Sequence, residues 1–232
     1  MKRPSIVAAL AATLILPGCG AEDLSTTGLP AGEARLAILN ALPEGAIGTL
    51  LLDGDAITLP ELGARSSRSI PEGVHRLEAR SPSGLVAATV SFAVGDGSRR
   101  AAILGGTAEP AGAEILISAD TASIPVGDAA KVRLVHTVEG TPQLEGWLTS
   151  GAISSDNSAR LVSPFTYGMG LSQESPGYVV RPSGHYRVQV TRLSDGAALA
   201  ETMLTLDTGQ VWSVVLTRDA AGQLGLVAIR ER

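Results

Sequence analysis

The chain is expected to fold as an all-β protein whose body consists of two tandem, antiparallel β-sandwich domains of the immunoglobulin-like or transthyretin-like kind. Three observations carry that expectation. Short apolar runs separated by turn-forming Gly, Pro, Asp and Ser recur at roughly 8–12-residue spacing. Alternation with period two is clean in Tyr186-Arg187-Val188-Gln189-Val190-Thr191, which puts apolar and polar side chains on opposite faces. Beyond residue 19 no long stretch keeps a helical period, because Gly and Pro, 27 and 13 in the whole chain, punctuate it too often.

The first segment is read as a leader. Met1-Lys2-Arg3 is a basic start, and Ile6 to Leu16 is an apolar run too short to span a bilayer. It ends in Leu16-Pro17-Gly18-Cys19, which resembles the lipobox of bacterial lipoproteins, with a small residue before the only cysteine of the chain. The resemblance implies a signal peptide over 1–18 and acylation of Cys19, hence a membrane partner through the lipid anchor. Gly20 rather than Asp follows the cysteine, which points to the outer membrane in a Gram-negative host. A single cysteine also leaves no internal disulfide. Residues 19–33, with GAEDLSTTGLPAG beyond the cysteine, read as the lipid attachment and a flexible tether.

The first sandwich is expected over 34–119. Its runs begin with Arg35 to Asn40, then Thr49 to Leu52 ending at the turn dipeptide Asp53-Gly54. Val74 to Ala79, Leu85 to Val94, Arg100 to Leu104 and Glu114 to Ser118 follow. Residues 120–130 read as a linker, and 131–232 as a second sandwich that repeats the order. Val132 to His136 aligns with Ala34 to Ile38, Pro182-Ser183-Gly184 with Pro71-Glu72-Gly73, and Gly209 to Leu216 with Gly97 to Leu104. The offset grows from 98 to 111–112, so about 13 residues are added, expected near 153–178.

These motifs resemble the repeats of bacterial surface proteins that carry domain of unknown function 4397. Those open with a stretch like VRVVHASPDAP, reach a strand ending VDG and then a PAG-containing turn and strand. Here Ala34 to Gly45 and Val132 to His136 stand in the first place, Leu52-Asp53-Gly54 in the second, and Pro71-Glu72-Gly73 and Pro182 to Tyr186 in the third. The second half departs from the pattern, with Thr137-Val138-Glu139-Gly140 after the opening strand and no VDG. The resemblance implies fold and surface location, and carries no enzymatic activity.

Composition excludes several functions. A net charge of -5 with no basic run after Arg3 argues against a nucleic-acid partner. Two Trp, three Tyr and two Phe are too few for an array of stacking platforms; Trp147 and Trp212 are expected in the core. His75, His136 and His185 show no metal-ligand spacing, and no G-x-S-x-G elbow occurs. Acidic residues such as Asp53, Asp96, Asp195 and Asp207 sit in turns, where Asp serves the backbone. No catalytic residue, metal or cofactor is expected. The added segment gathers Phe165, Tyr167, Met169 and Tyr178 among Gly and Ser, and long loops often carry function. These four are the candidate partner contacts; the alternative is that the loop folds back over the sandwich. The expected function is a non-enzymatic, lipid-anchored envelope protein acting as a structural, adhesion or protein-interaction module, with an envelope or surface protein as partner. The alternative is a small-ligand carrier or sensor with its site between the sandwiches.

Overall fold

The computed structural model describes residues 32–42, 45–120, 122–151, 158–170 and 177–232. The leader, Cys19 and most of the tether lie outside the described residues. Among the described residues the fold is all-β, with one short 3₁₀ turn at Pro110–Gly112. The first half contains β1 (Glu33–Asn40), β2 (Thr49–Leu52), β3 (Asp55–Ile57), β4 (Arg65–Pro71), β5 (Gly73–Arg80), β6 (Val86–Val94), β7 (Arg99–Thr107) and β8 (Ala113–Ala119). The second contains β9 (Ala129–His136), β10 (Leu144–Ser150), β11 (Ser158–Phe165), β12 (Val179–Pro182), β13 (Gly184–Arg192), β14 (Ala198–Leu206), β15 (Val211–Arg218) and β16 (Leu224–Arg230).

Each half packs two four-stranded groups face to face. In the first, β3-β2-β5-β6 lies over β4-β1-β7-β8; in the second, β11-β10-β13-β14 lies over β12-β9-β15-β16. Each hairpin ladder is antiparallel, but β1 pairs with β7, and β9 with β15, in parallel. Parallel pairing departs from the wholly antiparallel expectation. The long connection through the intervening strands permits it, because the chain returns to the starting end before pairing.

The pairing also corrects the repeat register. Arg35 N–H donates to Ser98 O, and Lys131 N–H to Gln210 O, so Arg35 corresponds to Lys131 and Asn40 to His136. The offset is therefore 96 at this strand, against the 98 expected; a shift of two preserves the faces of a strand, which is why the sequence alignment looked acceptable. The offset reaches 111 at Pro71 and Pro182, so the second half gains 15 residues between these points. Part of the gain lengthens β11 to eight residues where β3 has three. In the first half Asp53 (φ 54°) and Gly54 (φ 93°) close the β2–β3 hairpin, the conformation a two-residue primed turn demands.

Both halves have their own apolar core. Leu36, Ile38, Leu50, Leu77, Ala102 and Leu104 belong to the first, and Val132, Leu148, Phe165, Val188, Val214 and Leu216 to the second. A third layer joins them: Ala37, Leu39, Ala41, Ala101 and Ile103 pack with Val135, Val215 and Ile229, all fully buried. Strands β1, β7, β9 and β15 are thus covered on both faces, which explains their continuous apolar runs. The two large groups are joined into one eight-stranded sheet, ordered β12-β9-β15-β7-β1-β4 with β16 beside β15 and β8 beside β7, through the parallel pairs Gly106–Thr217 and Thr107–Arg218 at the ends of these inner strands.

Polar groups pin this junction. Thr137 Oγ1 donates to Leu216 O at 2.6 Å and accepts from Gly106 N–H at 2.8 Å. Gly105 is required beneath it, since an added Cβ would lie 2.6 Å from Thr137 Cβ. Arg133 and Glu231 are both fully buried and paired at 3.2 Å. Arg133 also donates from Nε to Ser213 Oγ and from Nη1 to Ser118 Oγ and Gly170 O, and Ser213 Oγ donates to Glu231. Asp120, at the start of the segment expected to link the halves, is buried and held by Arg65 (3.0 Å) and Arg232 (3.2 Å).

Two outcomes follow for unfolding in denaturant. Ile103→Ala should cost about 2–5 kcal/mol, as for a large-to-small change in a closed core. Glu231→Ala should cost about 3–5 kcal/mol, because it leaves the Arg133 guanidinium charged and buried without its carboxylate.

Candidate interaction site

The four candidate contact residues separate by environment. Phe165 is fully buried in the second core, its ring centroid 4.9 Å from that of His136, and it is withdrawn as a contact: β11 carries it into the sandwich. Tyr178 is also withdrawn. Its ring lies under the Arg133 guanidinium at 4.6 Å and its hydroxyl donates to Glu231 Oε1 at 2.6 Å, making it part of the junction. Burial, more than the neighbouring carboxylate, raises its pKa. Tyr167 and Met169 remain accessible, 39% and 37% exposed.

The reason lies in a turn that both halves share. Gly63 N–H donates to Asn40 O and Gly168 N–H to His136 O, with φ of 76° at each glycine, a backbone position where glycine is favoured. Each turn therefore docks on the end of the first strand of its half, and the residue before the glycine points out: Leu62, 50% exposed, in one and Tyr167 in the other. Tyr167 also donates to Glu114 Oε2 of the first half at 3.2 Å. Burial first, and that carboxylate second, push the Tyr167 hydroxyl up to about 12; burial likewise raises Glu114.

Three residues before the shared glycine the halves differ. The second half has Phe165 there; the first has Pro60, whose carbonyl accepts from Asn40 Nδ2 at 2.8 Å. A pocket of about 470 Å³ opens beside it, lined by Asn40, Leu42, Ile47, Leu59, Pro60 and Leu62 among others. Asn40 is occupied in holding the backbone, since its Oδ1 also accepts from Leu42 N–H. The pocket therefore mixes the aliphatic side chains of Leu42, Ile47, Leu59 and Leu62 with polar lining from Asn40 and Glu61.

The histidines hold structure in place. His136, fully buried, accepts from Val138 N–H at Nδ1 and lies 2.9 Å from Thr141 Oγ1 at Nε2, doing for the second half what Asn40 does for the first. Burial pushes its imidazole down to about 4, so it is neutral at pH 7. His75 Nδ1 lies 2.7 Å from Asp53 Oδ2, and its Nε2 lies 2.8 Å from Pro71 O. Both partners are acceptors, so the ring bridges them as an imidazolium donating from each nitrogen. Tyr186 does the corresponding work in the second half, donating to Pro182 O at 2.9 Å. His185 is exposed, with Nδ1 3.0 Å from Thr205 Oγ1. Among the described residues no three His, Cys, Asp or Glu side chains gather to hold a metal.

Trp147, expected in the core, is instead half-buried on the outer face of its sheet with the Arg160 guanidinium 6.0 Å from its ring, because the β10 register turns Leu148 inward. Trp212 packs against the second core and donates to Gln210 Oε1 at 2.8 Å. The Arg133 network was missed in the sequence, although one charged residue inside the apolar run Val132 to Val135 was a signal for a buried ion pair.

Known proteins add little. No family profile matches the chain, and no curated protein matches it. Among solved structures it is similar to the Bacillus anthracis TIE protein, at 10% identity and TM-score 0.25, over 80% of this chain and 34% of that one. It is also similar to a leucine-rich repeat protein from Bacteroides thetaiotaomicron, at 10% identity and TM-score 0.19, over 84% and 26%. The chain thus spans about a third or less of the length of these structures, and likeness at this level carries no functional argument.

The His75–Asp53 bridge gives a pH dependence of stability. His75 is raised from its ordinary 6.5: desolvation lowers it, but the hydrogen bonds to Asp53 and Pro71 O outweigh that penalty. Asp53 is lowered from 3.8, chiefly by the Arg76 N–H, then by His75. The imidazolium contribution is complete below 6.5 and is lost as pH rises through the folded value; the carboxylate contribution is present above 3.8 and is lost as pH falls. Melting temperature should therefore pass through a maximum between these values, and His75→Gln should remove its decline on the alkaline side.

Proposed function

We propose that this chain is a lipid-anchored, non-enzymatic protein of the bacterial cell envelope that works as a structural, adhesion or protein-interaction module. The N-terminal sequence ending at Cys19 supports the anchor, and the motifs resembling domain of unknown function 4397 support a surface location, at the outer membrane in a Gram-negative host. The observation that carries the interaction reading is the pair of equivalent turns at one end of the molecule. They expose Leu62 from one half and Tyr167 with Met169 from the other. Apolar side chains held out on bonded turns suit contact with a protein surface better than chemistry.

A second reading has one supporting observation. The cavity beside Pro60 has the size of a small-molecule site, and its lining of aliphatic side chains with Asn40 and Glu61 favours a carrier of a small ligand with both apolar and polar parts. Its place is inside the first half; the space between the halves, where a carrier site was expected, is filled by the side chains of the third apolar layer.

Removal of residues 153–178 would take β11 and Phe165 out of the core, so the test uses point changes. Protein carrying Leu62→Ser, Tyr167→Ser and Met169→Ser is compared with the unchanged chain for capture of partners from detergent-solubilised envelope. A partner retained by the unchanged chain and lost by the variant, with melting temperatures alike, is the expected outcome. Equal capture would remove these turns from the interaction.

A further inference from the structure

We propose that the end of the molecule opposite those turns rests on the bilayer, with Val74, Ile124, Val126 and Val180 entering the lipid interface. The proposal rests on the lipid-anchored reading. The partner is a membrane surface, and the geometry of the chain's entry into the fold points to it.

Strands β1, β7, β15 and β9 run parallel to one another, so the N-termini of β1 and β9 lie at the same end. The tether leaves from that end. Gly32 N–H donates to Asp96 Oδ1 at 2.8 Å, and Glu72 N–H donates to Gly32 O at 2.9 Å, fixing its exit beside the β4–β5 turn. Residues 20–31 then separate Gly32 from Cys19. A stretch of this length reaches at most about 40 Å, even fully extended. An acylated Cys19 therefore keeps this end, and not the other, next to the membrane.

The same end carries aliphatic side chains that the protein itself leaves uncovered. Val126 is 96% exposed, Val74 76%, Ile124 59% and Val180 52%. Ile124 and Val126 stand on the segment that leads into β9, the second half's counterpart of the tether: Gly209 N–H bonds Ala129 O as Gly97 N–H bonds Glu33 O. That segment is held in place. Asp128 accepts from Ser183 Oγ at 2.5 Å and Thr208 Oγ1 at 2.6 Å, and Lys131 Nζ donates to Ser123 Oγ at 2.8 Å. From 122 to 127 it reads Ala-Ser-Ile-Pro-Val-Gly, with no charge to desolvate on insertion. Lys131 is level with Val180 and Arg181 lies one step nearer the end, level with Ala130, where long cationic side chains reach lipid phosphates beside the aliphatic ones.

The test uses the full lipidated chain in phosphatidylcholine–phosphatidylethanolamine vesicles. Cys19 being acylated, a cysteine introduced by V126C or by L85C is the only free thiol for a nitroxide label; Leu85 is 71% exposed at the opposite end. The label at 126 should show a severalfold higher ratio of oxygen to nickel-chelate collisions than the label at 85. Equal ratios in vesicles that float with the protein would overturn the membrane-facing end while leaving the anchor intact. Failure of the protein to float, matching Cys19→Ala, would overturn the anchor and this proposal with it.

Discussion

Small side chains at the back of two sheets set the architecture of this protein. Ala37, Ala41 and Ala101 let β1 and β7 come close to β9 and β15, so that Leu39 and Ile103 pack against Val135, Val215 and Ile229 without solvent. Since water is excluded from both faces of these strands, their backbone polar groups must be met by ladder bonds, and the ladders supply them. Two sandwiches that could each have stood on a tether thereby share a middle layer.

The polar junction gives that layer a single geometry. Apolar contact between flat sheet backs tolerates sliding, but Thr137 over Gly105 and Gly106 does not, because its hydroxyl has a donor and an acceptor fixed on opposite sides. The Arg133–Glu231 pair adds the same kind of demand: a buried guanidinium must find its partners, and they come from β8, β15 and the C-terminal residues. With the interior filled, the accessible features lie at the two ends. One end presents the turns with Leu62 and Tyr167; the other holds Gly32 and the start of β1.

The internal repeat shows which positions are constrained by geometry rather than by residue type. Asn40 and His136 are unlike chemically, yet each accepts the N–H two residues on and supports the same glycine turn. His75 and Tyr186 both bind the carbonyl of the proline four residues earlier. Where the repeat changes volume, as from Phe165 to Pro60, the order of strands is kept.

The all-β class, the repeated order of strands and the Asp53-Gly54 hairpin were legible in the sequence because each depends on local chemistry: alternation, turn residues, and the low helical tolerance of a Gly- and Pro-rich chain. Leu62 and Tyr167 were not legible as equivalent, since the added residues hide their common turn. Phe165 and Tyr178 could be read as partner contacts or as part of a loop folded back over the sandwich, and only long-range packing shows that one fills a core and the other covers a buried arginine. The two-residue slip in the repeat register has the same origin, because a shift of two leaves the pattern of faces unchanged. What the sequence by itself determined is the class of the fold and the order of its strands. Only the tertiary structure decided that the halves pack back to back, because that depends on side chains distant in the sequence meeting across a shared layer.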